Sequence, residues 1–167
     1  MASTLKLSME DLYEEEYQLI AIHTSLEDYR LAYFLNQTLS IKLKKCEDDL
    51  HVKSKKGEAN FTRFEYEQTD LCLFWNLIQN KSNNINNVVI AVEDLFSNDT
   101  NSFLKPIFLL PEFKNIDFLL KLDQDLSTNS INGYISKINS IDKIKMVYAI
   151  DKQNIKKLEN QINSSEN

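Results

Sequence analysis

The chain is poor in the residues that build phosphate sites and disulfide scaffolds. It has 2 Gly and 2 Pro among 167 residues. Loops that cradle phosphate need several glycines, because the backbone must approach the ligand closely and adopt positive φ. Gly57 and Gly133 stand alone, which excludes a Walker loop and a dinucleotide fingerprint. Turns fall instead to Asn, Asp and Ser, which bond their own backbone or tolerate the left-handed region. The 2 cysteines, Cys46 and Cys72, make no disulfide framework and no ligand cluster; they read as small buried apolar groups. No apolar run approaches the roughly 20 residues of a membrane helix. Near the N-terminus, Glu14-Glu15-Glu16 stands where a secretory leader would be basic and then apolar. The expectation is a cytoplasmic, reduced protein with no cofactor and no metal.

What the chain does contain is ordinary for a globular domain: 43% hydrophobic and 26% charged residues, with 9 Phe, 7 Tyr and 1 Trp. Such a length can bury a core without disulfides or metals. The formal net charge of −6 opposes nucleic acid and anionic membrane, so neither is expected as a direct partner. The lysines at 42, 44, 45, 53, 55 and 56 are the local exception and read as a solvated face.

Tyr17–His23 reads as a strand whose apolar run Leu19-Ile20-Ala21-Ile22 implies cover on both faces. Thr24-x-x-Glu27 has the form of a capping box. It would start a helix whose Leu31, Phe34, Leu35 and Leu39 make one stripe, ending near Ser40. Residues 41–53 alternate as an extended segment. Phe61–Glu67 and Leu71–Ile78 read as a hairpin joined through Gln68-Thr69-Asp70, with Phe64 and Tyr66 on one face. The Asn-rich stretch 79–102 reads as a variable loop region, with Val88–Phe96 a strand or short helix inside it. Ser127–Ile141 is a second amphipathic helix, Ile144–Ile150 a last strand, and Ile155–Ile162 a short terminal helix. Residues 1–16 read as a weakly ordered arm and 163–167 as a tail. The sum is one α+β domain over 17–162. It would have an antiparallel or mixed β-sheet with helices mainly on one face and a C-terminal β-α-β compatible with a ferredoxin-like half.

The most distinctive segment is Leu110-Pro111-Glu112-Phe113-Lys114-Asn115-Ile116-Asp117-Phe118. Flanked by apolar runs at 104–110 and 116–123, it reads as a hairpin turn with Phe113-Lys114-Asn115 at its tip. Pro111 must then sit at a strand end, edge or bulge. Glu112 and Asp117 would approach one another across the turn. Two close carboxylates can do acid–base work or hold a hard cation; they can also pin the turn through backbone amides, with Lys114 as ion partner, or present it to a partner.

These nine residues resemble the signature of the bacterial IPExxxVDY family, with Leu for Ile, Ile for Val and Phe for Tyr. Pro111, Glu112 and Asp117 stand as in that family, Asp28-Tyr29-Arg30 fits it too, and the order of elements is similar over most of the chain. The family takes its name from its motif and not from an activity. Its genes often neighbour those for ribonuclease III, pyruvate kinase and fatty-acid synthesis. The resemblance therefore implies a bacterial cytoplasmic accessory protein whose partner is an RNA-processing or central-metabolism enzyme, and an acidic chain suits a basic one.

Outside the motif, His23 falls at the end of the first strand beside a helix start, where α/β proteins often bind ligands. With Thr24 and Ser25 it would hold an anion, although Glu27 and Asp28 oppose that; a histidine bonded to nearby backbone is the plainer reading. Arg30 would pair with Glu27 or Asp28, or project toward a partner. His51 lacks an evident partner. Phe61, Arg63, Phe64 and Tyr66 resemble a base-stacking sheet but read better as hairpin core. The candidate binding residues are thus Pro111, Glu112, Lys114, Asp117, His23 and Arg30. Three functions follow in order: a non-enzymatic interaction protein with the Leu110–Phe118 turn as epitope, a small-ligand regulatory domain that dimerises, and an enzyme using Glu112, Asp117 or His23. The third requires those groups to converge on one pocket. A homodimer through a sheet edge is compatible with the first two.

Overall fold

The computed structural model describes residues 17–54, 57–82, 85–86 and 106–151. In chain order the elements are β1 (Gln18–Thr24), α1 (Asp28–Leu39), β2 (Lys44–Lys45), β3 (Leu50–Ser54), β4 (Gly57–Phe61), β5 (Arg63–Gln68), β6 (Leu73–Gln79), β7 (Lys81–Ser82), β8 (Ile85–Asn86), β9 (Ile107–Phe108), β10 (Phe118–Leu122), α2 (Thr128–Asn139) and β11 (Ile144–Ala149). The arm 1–16, the segment Val88–Phe96, most of the Asn-rich region, the helix Ile155–Ile162 and the tail lie outside the described residues.

The main sheet has six strands in the order β11-β1-β10-β6-β5-β2, and every neighbouring pair is antiparallel. The alternative of a mixed sheet is therefore set aside. The chain runs β1-α1-β6 with β10 between the two strands, and β10-α2-β11 with β1 between them. Two split β-α-β units thus interlock, which is the ferredoxin-like topology. The sequence suggested it for the C-terminal half alone; it spans the whole core, with β5 and β2 added at one edge. Smaller sheets, β3-β4-β8 and β7-β9, fill the insertions.

Both helices cover one face of the main sheet. Ile20 and Ile22 of β1, Phe118, Leu120 and Leu122 of β10, Leu73, Trp75 and Leu77 of β6 and Phe64 of β5 point toward Leu31, Ala32 and Leu35 of α1 and Ile138 of α2. The period of two in the strands and the i, i+4 spacing in the helices place these residues together. Each fully buried Leu or Ile there contributes about 1.5–3 kcal/mol. The opposite face carries Leu19, Ala21 and Leu119 under Tyr17, Leu110, Ile116 and Ile150, so β1 is covered on both sides as its apolar run implied. Further along, Ile78 packs with Leu50, Ala59, Phe61 and Ile107. Phe61 and Phe64 are core residues and not a stacking platform.

The helix starts differ in their chemistry. α2 begins at Ser127, whose hydroxyl accepts from the Ser130 amide. α1 begins three residues later than a Thr24 cap would place it, because Thr24 is the last residue of β1. The Thr24 hydroxyl donates to Lys143 O at 2.8 Å and accepts from the Leu26 amide at 3.1 Å. The N-cap is Glu27, with no side-chain capping bond. α1 ends as expected at Ser40, which takes a left-handed φ of 55° while its amide donates to Asn36 O. Asn36 then fixes the exit by accepting from Leu43 N at 2.8 Å and donating to Leu43 O at 3.1 Å.

Two expectations about isolated residues change. Cys46 is half-buried and Cys72 is exposed, the latter because it closes the tight turn after Thr69–Leu71 at φ 49°. His51 has partners: its Nδ1 lies 2.6 Å from Asn60 Oδ1 and its Nε2 lies 3.4 Å from Glu58, which also meets Lys53 at 3.3 Å. Lys42, Lys44, Lys45 and Lys53 are exposed, as a solvated face requires.

Candidate functional site

The signature segment is not a hairpin turn. Its preceding strand β9 pairs with β7, whereas β10 has both edges taken by β1 and β6. The segment therefore crosses from a small sheet into the centre of the large one. It does so through a single 3₁₀ turn, Pro111–Phe113, in which proline occupies the first position, where its missing N–H costs nothing. Phe113 N donates to Leu110 O and Ile116 N donates to Phe113 O, each at 3.0 Å.

One residue outside the segment holds it. Asn80, fully buried at the end of β6, donates through Nδ2 to Phe113 O at 3.0 Å and to Ile116 O at 2.8 Å. Its Oδ1 accepts from Leu110 N at 2.8 Å. Its own backbone completes the clasp, donating to Asp117 O at 2.8 Å and accepting from Leu109 N at 2.7 Å. A buried amide needs its donors and acceptor satisfied, and here all of them go to the crossing loop. Leu110 and Ile116 anchor the loop in the core, and Phe113 packs against the same cluster. Pro111, Glu112, Lys114 and Asn115 are left exposed.

At the end of the segment, Asp117 turns back to β1. Its Oδ2 lies 2.7 Å from His23 Nδ1 and accepts from the Thr24 amide at 2.9 Å. Its backbone N donates to Ile22 O at 3.1 Å. The two side chains are each about a third exposed, 30% for His23 and 31% for Asp117. With its Nδ1–H donated to the carboxylate, the imidazole is oriented and Nε2 is the nitrogen left to act. His23 and Asp117 therefore belong to one site.

The other four candidates are placed apart from that pair. Glu112 and Lys114 make no ion pair or hydrogen bond among the described residues, so the pinning of the turn by these charges is replaced by pinning through Asn80. Arg30 stands exposed on α1 without the expected pair to Glu27 or Asp28. Pro111 is exposed in the 3₁₀ turn rather than at a strand end, edge or bulge.

Asp117 also lines a cleft of about 560 Å³ with residues 24–29, Gln79, Lys81 and Phe118. Among the described residues its charges are Glu27, Asp28 and Asp117 against Lys81, a balance that disfavours an anion. Thr24 adds to this, since its amide and hydroxyl are already engaged. Glu112 is not in the lining, so of Glu112, Asp117 and His23 only the last two come together. Among the described residues no three His, Cys, Asp or Glu side chains cluster to hold a metal ion, and no helix is long and apolar enough to cross a membrane.

Sequence reasoning chose His23 and Asp117 separately and missed that they meet. It missed Asn80 altogether. No local signal marks that residue, because its side-chain partners lie 30 to 36 positions away.

Fold and site define an α+β protein of ferredoxin-like topology with a clasped crossing loop and a His–Asp pair beside an acidic cleft. No family model, no curated protein and no solved structure matches the chain.

Proposed function

We propose that this is a non-enzymatic accessory protein of the IPExxxVDY type, acting in the bacterial cytoplasm and binding another protein through the loop 111–115. The observation that carries the reading is the Asn80 clasp. A fully buried asparagine spends both side-chain donors and its carbonyl oxygen on the loop backbone, while the loop leaves Pro111, Glu112, Lys114 and Asn115 bare. A held backbone with exposed side chains loses little entropy on binding, which is what a preorganised epitope provides. The acidic chain suits a basic partner, and an RNA-processing or central-metabolism enzyme is the partner proposed.

The test is affinity purification from native cytoplasm with wild type and Glu112→Ala/Lys114→Ala, both first shown to melt at the same temperature. A stoichiometric partner lost by the variant supports the reading. A partner retained in full removes the loop as epitope.

A second reading, a small-ligand regulatory domain that dimerises, is favoured by the cleft beside His23 and Asp117. A metabolite-dependent rise in melting temperature that Asp117→Asn abolishes would support it over the first.

A further inference from the structure

Helix α1 carries an exposed aromatic face. Tyr29 and Tyr33 are 61% and 56% exposed, and a spacing of four residues puts them on the same side of the helix. Scattered apolar residues on a surface are ordinary. These two, however, lie beside the exposed Arg30, and tyrosine and arginine are the residue types enriched where proteins bind. Tyr33 is also braced, because Gln37 Nε2 donates to its hydroxyl at 2.8 Å and its ring meets Phe34 edge-on at 5.5 Å.

The face continues into the acidic cleft through one residue. Tyr29 lines the cleft together with Glu27, Asp28 and Asp117. The helix does not require the Glu27 carboxylate, which makes no capping bond. That carboxylate acts on the Tyr29 phenol instead, and its hydrogen bonding is the main cause holding that phenol above the usual tyrosine range. Asp28 is engaged at Oδ1 by the Tyr29 amide at 2.8 Å, and Asp117 by His23 and Thr24. Among the described residues, Lys81 in the lining and Arg30 on the adjoining helix face stand against these three carboxylates. A guanidinium or ammonium group fits this balance, and an aromatic ring at the rim adds a cation–π contact.

We propose that the Tyr29–Tyr33 face of α1 and the adjoining cleft form a docking surface for a protein segment bearing an arginine or lysine. The charged end enters between Glu27 and Asp117, and flanking apolar residues cover the two tyrosines. The inference rests on the interaction reading above for the class of partner, but on different residues.

The experiment is fluorescence anisotropy on the full chain with a labelled short peptide of alternating leucine and arginine. Control peptides replace every arginine by glutamate or every leucine by glycine. Wild type should bind the leucine–arginine peptide and neither control. Tyr29→Ala/Tyr33→Ala and Glu27→Gln should each weaken binding by about tenfold. Glu67→Gln, at an exposed position of β5 outside the cleft lining, removes the same charge and should leave binding unchanged. Absence of binding, equal loss with Glu67→Gln, or indifference to the tyrosine and Glu27 variants would each overturn the proposal. Sedimentation at the same concentrations covers the other occupant: self-association lost in Tyr29→Ala/Tyr33→Ala makes the face a contact between copies and overturns the proposal too. The loop variant Glu112→Ala/Lys114→Ala should bind the peptide as wild type does. Failure of the loop reading thus stays separate from failure of this one.

Discussion

His23 and Asp117, 94 residues apart in sequence, meet at 2.7 Å between Nδ1 and Oδ2 at the point where β1 gives way to α1. The same carboxylate oxygen takes the amide of buried Thr24. One aspartate therefore joins the end of β1 to the start of β10. A double-mutant cycle with His23→Ala and Asp117→Ala should give a coupling of about 1 kcal/mol, because contacting groups couple but both are a third exposed. Asp117→Ala alone should cost more than His23→Ala, since it also orphans the Thr24 amide. Asp117→Asn should be milder, because one oxygen remains to accept. Urea denaturation of the five proteins (wild type, the two single alanine variants, the double variant and Asp117→Asn) measures all three quantities.

Asn80 should be the most sensitive polar position in the domain. Asn80→Ala leaves Leu110 N and Ile116 O without their side-chain partner, while Phe113 O keeps the Ile116 amide. Each orphaned buried group costs about 1–3 kcal/mol, so a loss of about 2 kcal/mol or more is expected. Asn80→Asp should be no better, since a carboxylate cannot donate to the two carbonyls. Equilibrium unfolding checks the stability. Hydrogen exchange at Leu110 and Ile116 checks that the loop is what loosens.

Lys121 is buried on β10, with Nζ 2.8 Å from Asp123 Oδ1 and 5.2 Å from the Tyr17 ring centre. That Asp123 oxygen is fully buried and has no well-directed hydrogen bond, so the contact is an ion pair set by distance. The lysine side chain is 8% exposed and the aspartate 24%. Removing the aspartate strands the deeper charge and should cost about 3 kcal/mol. Lys121→Met should cost less than that, because the aspartate side chain as a whole is 24% exposed and the lysine stem is replaced in kind, so that only the buried Oδ1 loses its counter-charge. Thermal melts that rank the two variants the other way would refute the assignment.

The two thiols should separate by reactivity. Burial pushes the Cys46 thiol above its usual range, while Cys72 is exposed. At neutral pH an aromatic disulfide reagent should label Cys72 quickly and Cys46 slowly, since the thiolate is the nucleophile. The folded state holds the Cys46 proton more tightly than the unfolded chain does. Its contribution to stability is therefore complete below the ordinary thiol range and is lost as pH rises through the folded value. Cys46→Ser should flatten that alkaline decline in a denaturation series.

The parts of the fold legible in the sequence were those that local chemistry decides. The apolar run of β1, the Leu31/Leu35 stripe, the second amphipathic helix and the β5–β6 hairpin follow from spacing and side-chain type alone. The start of α1 was misplaced because Thr24 satisfies the capping pattern, yet its hydroxyl goes to Lys143 O in another strand. The signature was misread as a hairpin for a related reason. Apolar segments on both sides of a turn look the same whether they pair with each other or with strands elsewhere, and β10 pairs elsewhere. The candidate site was half legible: His23 and Asp117 are residue types that carry chemistry, but only the fold brings them together, and nothing near Asn80 announces its role.

The strand order also sets a timetable. Ile20 of β1 pairs with Leu120 and Ala149, whereas Glu65 of β5 pairs with Asn76 across a short turn. Contacts so distant in sequence form late. On a ribosome the hairpin closes as it emerges, while Leu19-Ile20-Ala21-Ile22 waits for almost the whole chain to be made. During that interval an inner strand of the finished sheet is an unpaired, aggregation-prone ribbon, and nascent-chain handling falls on a segment that is buried once folding is done.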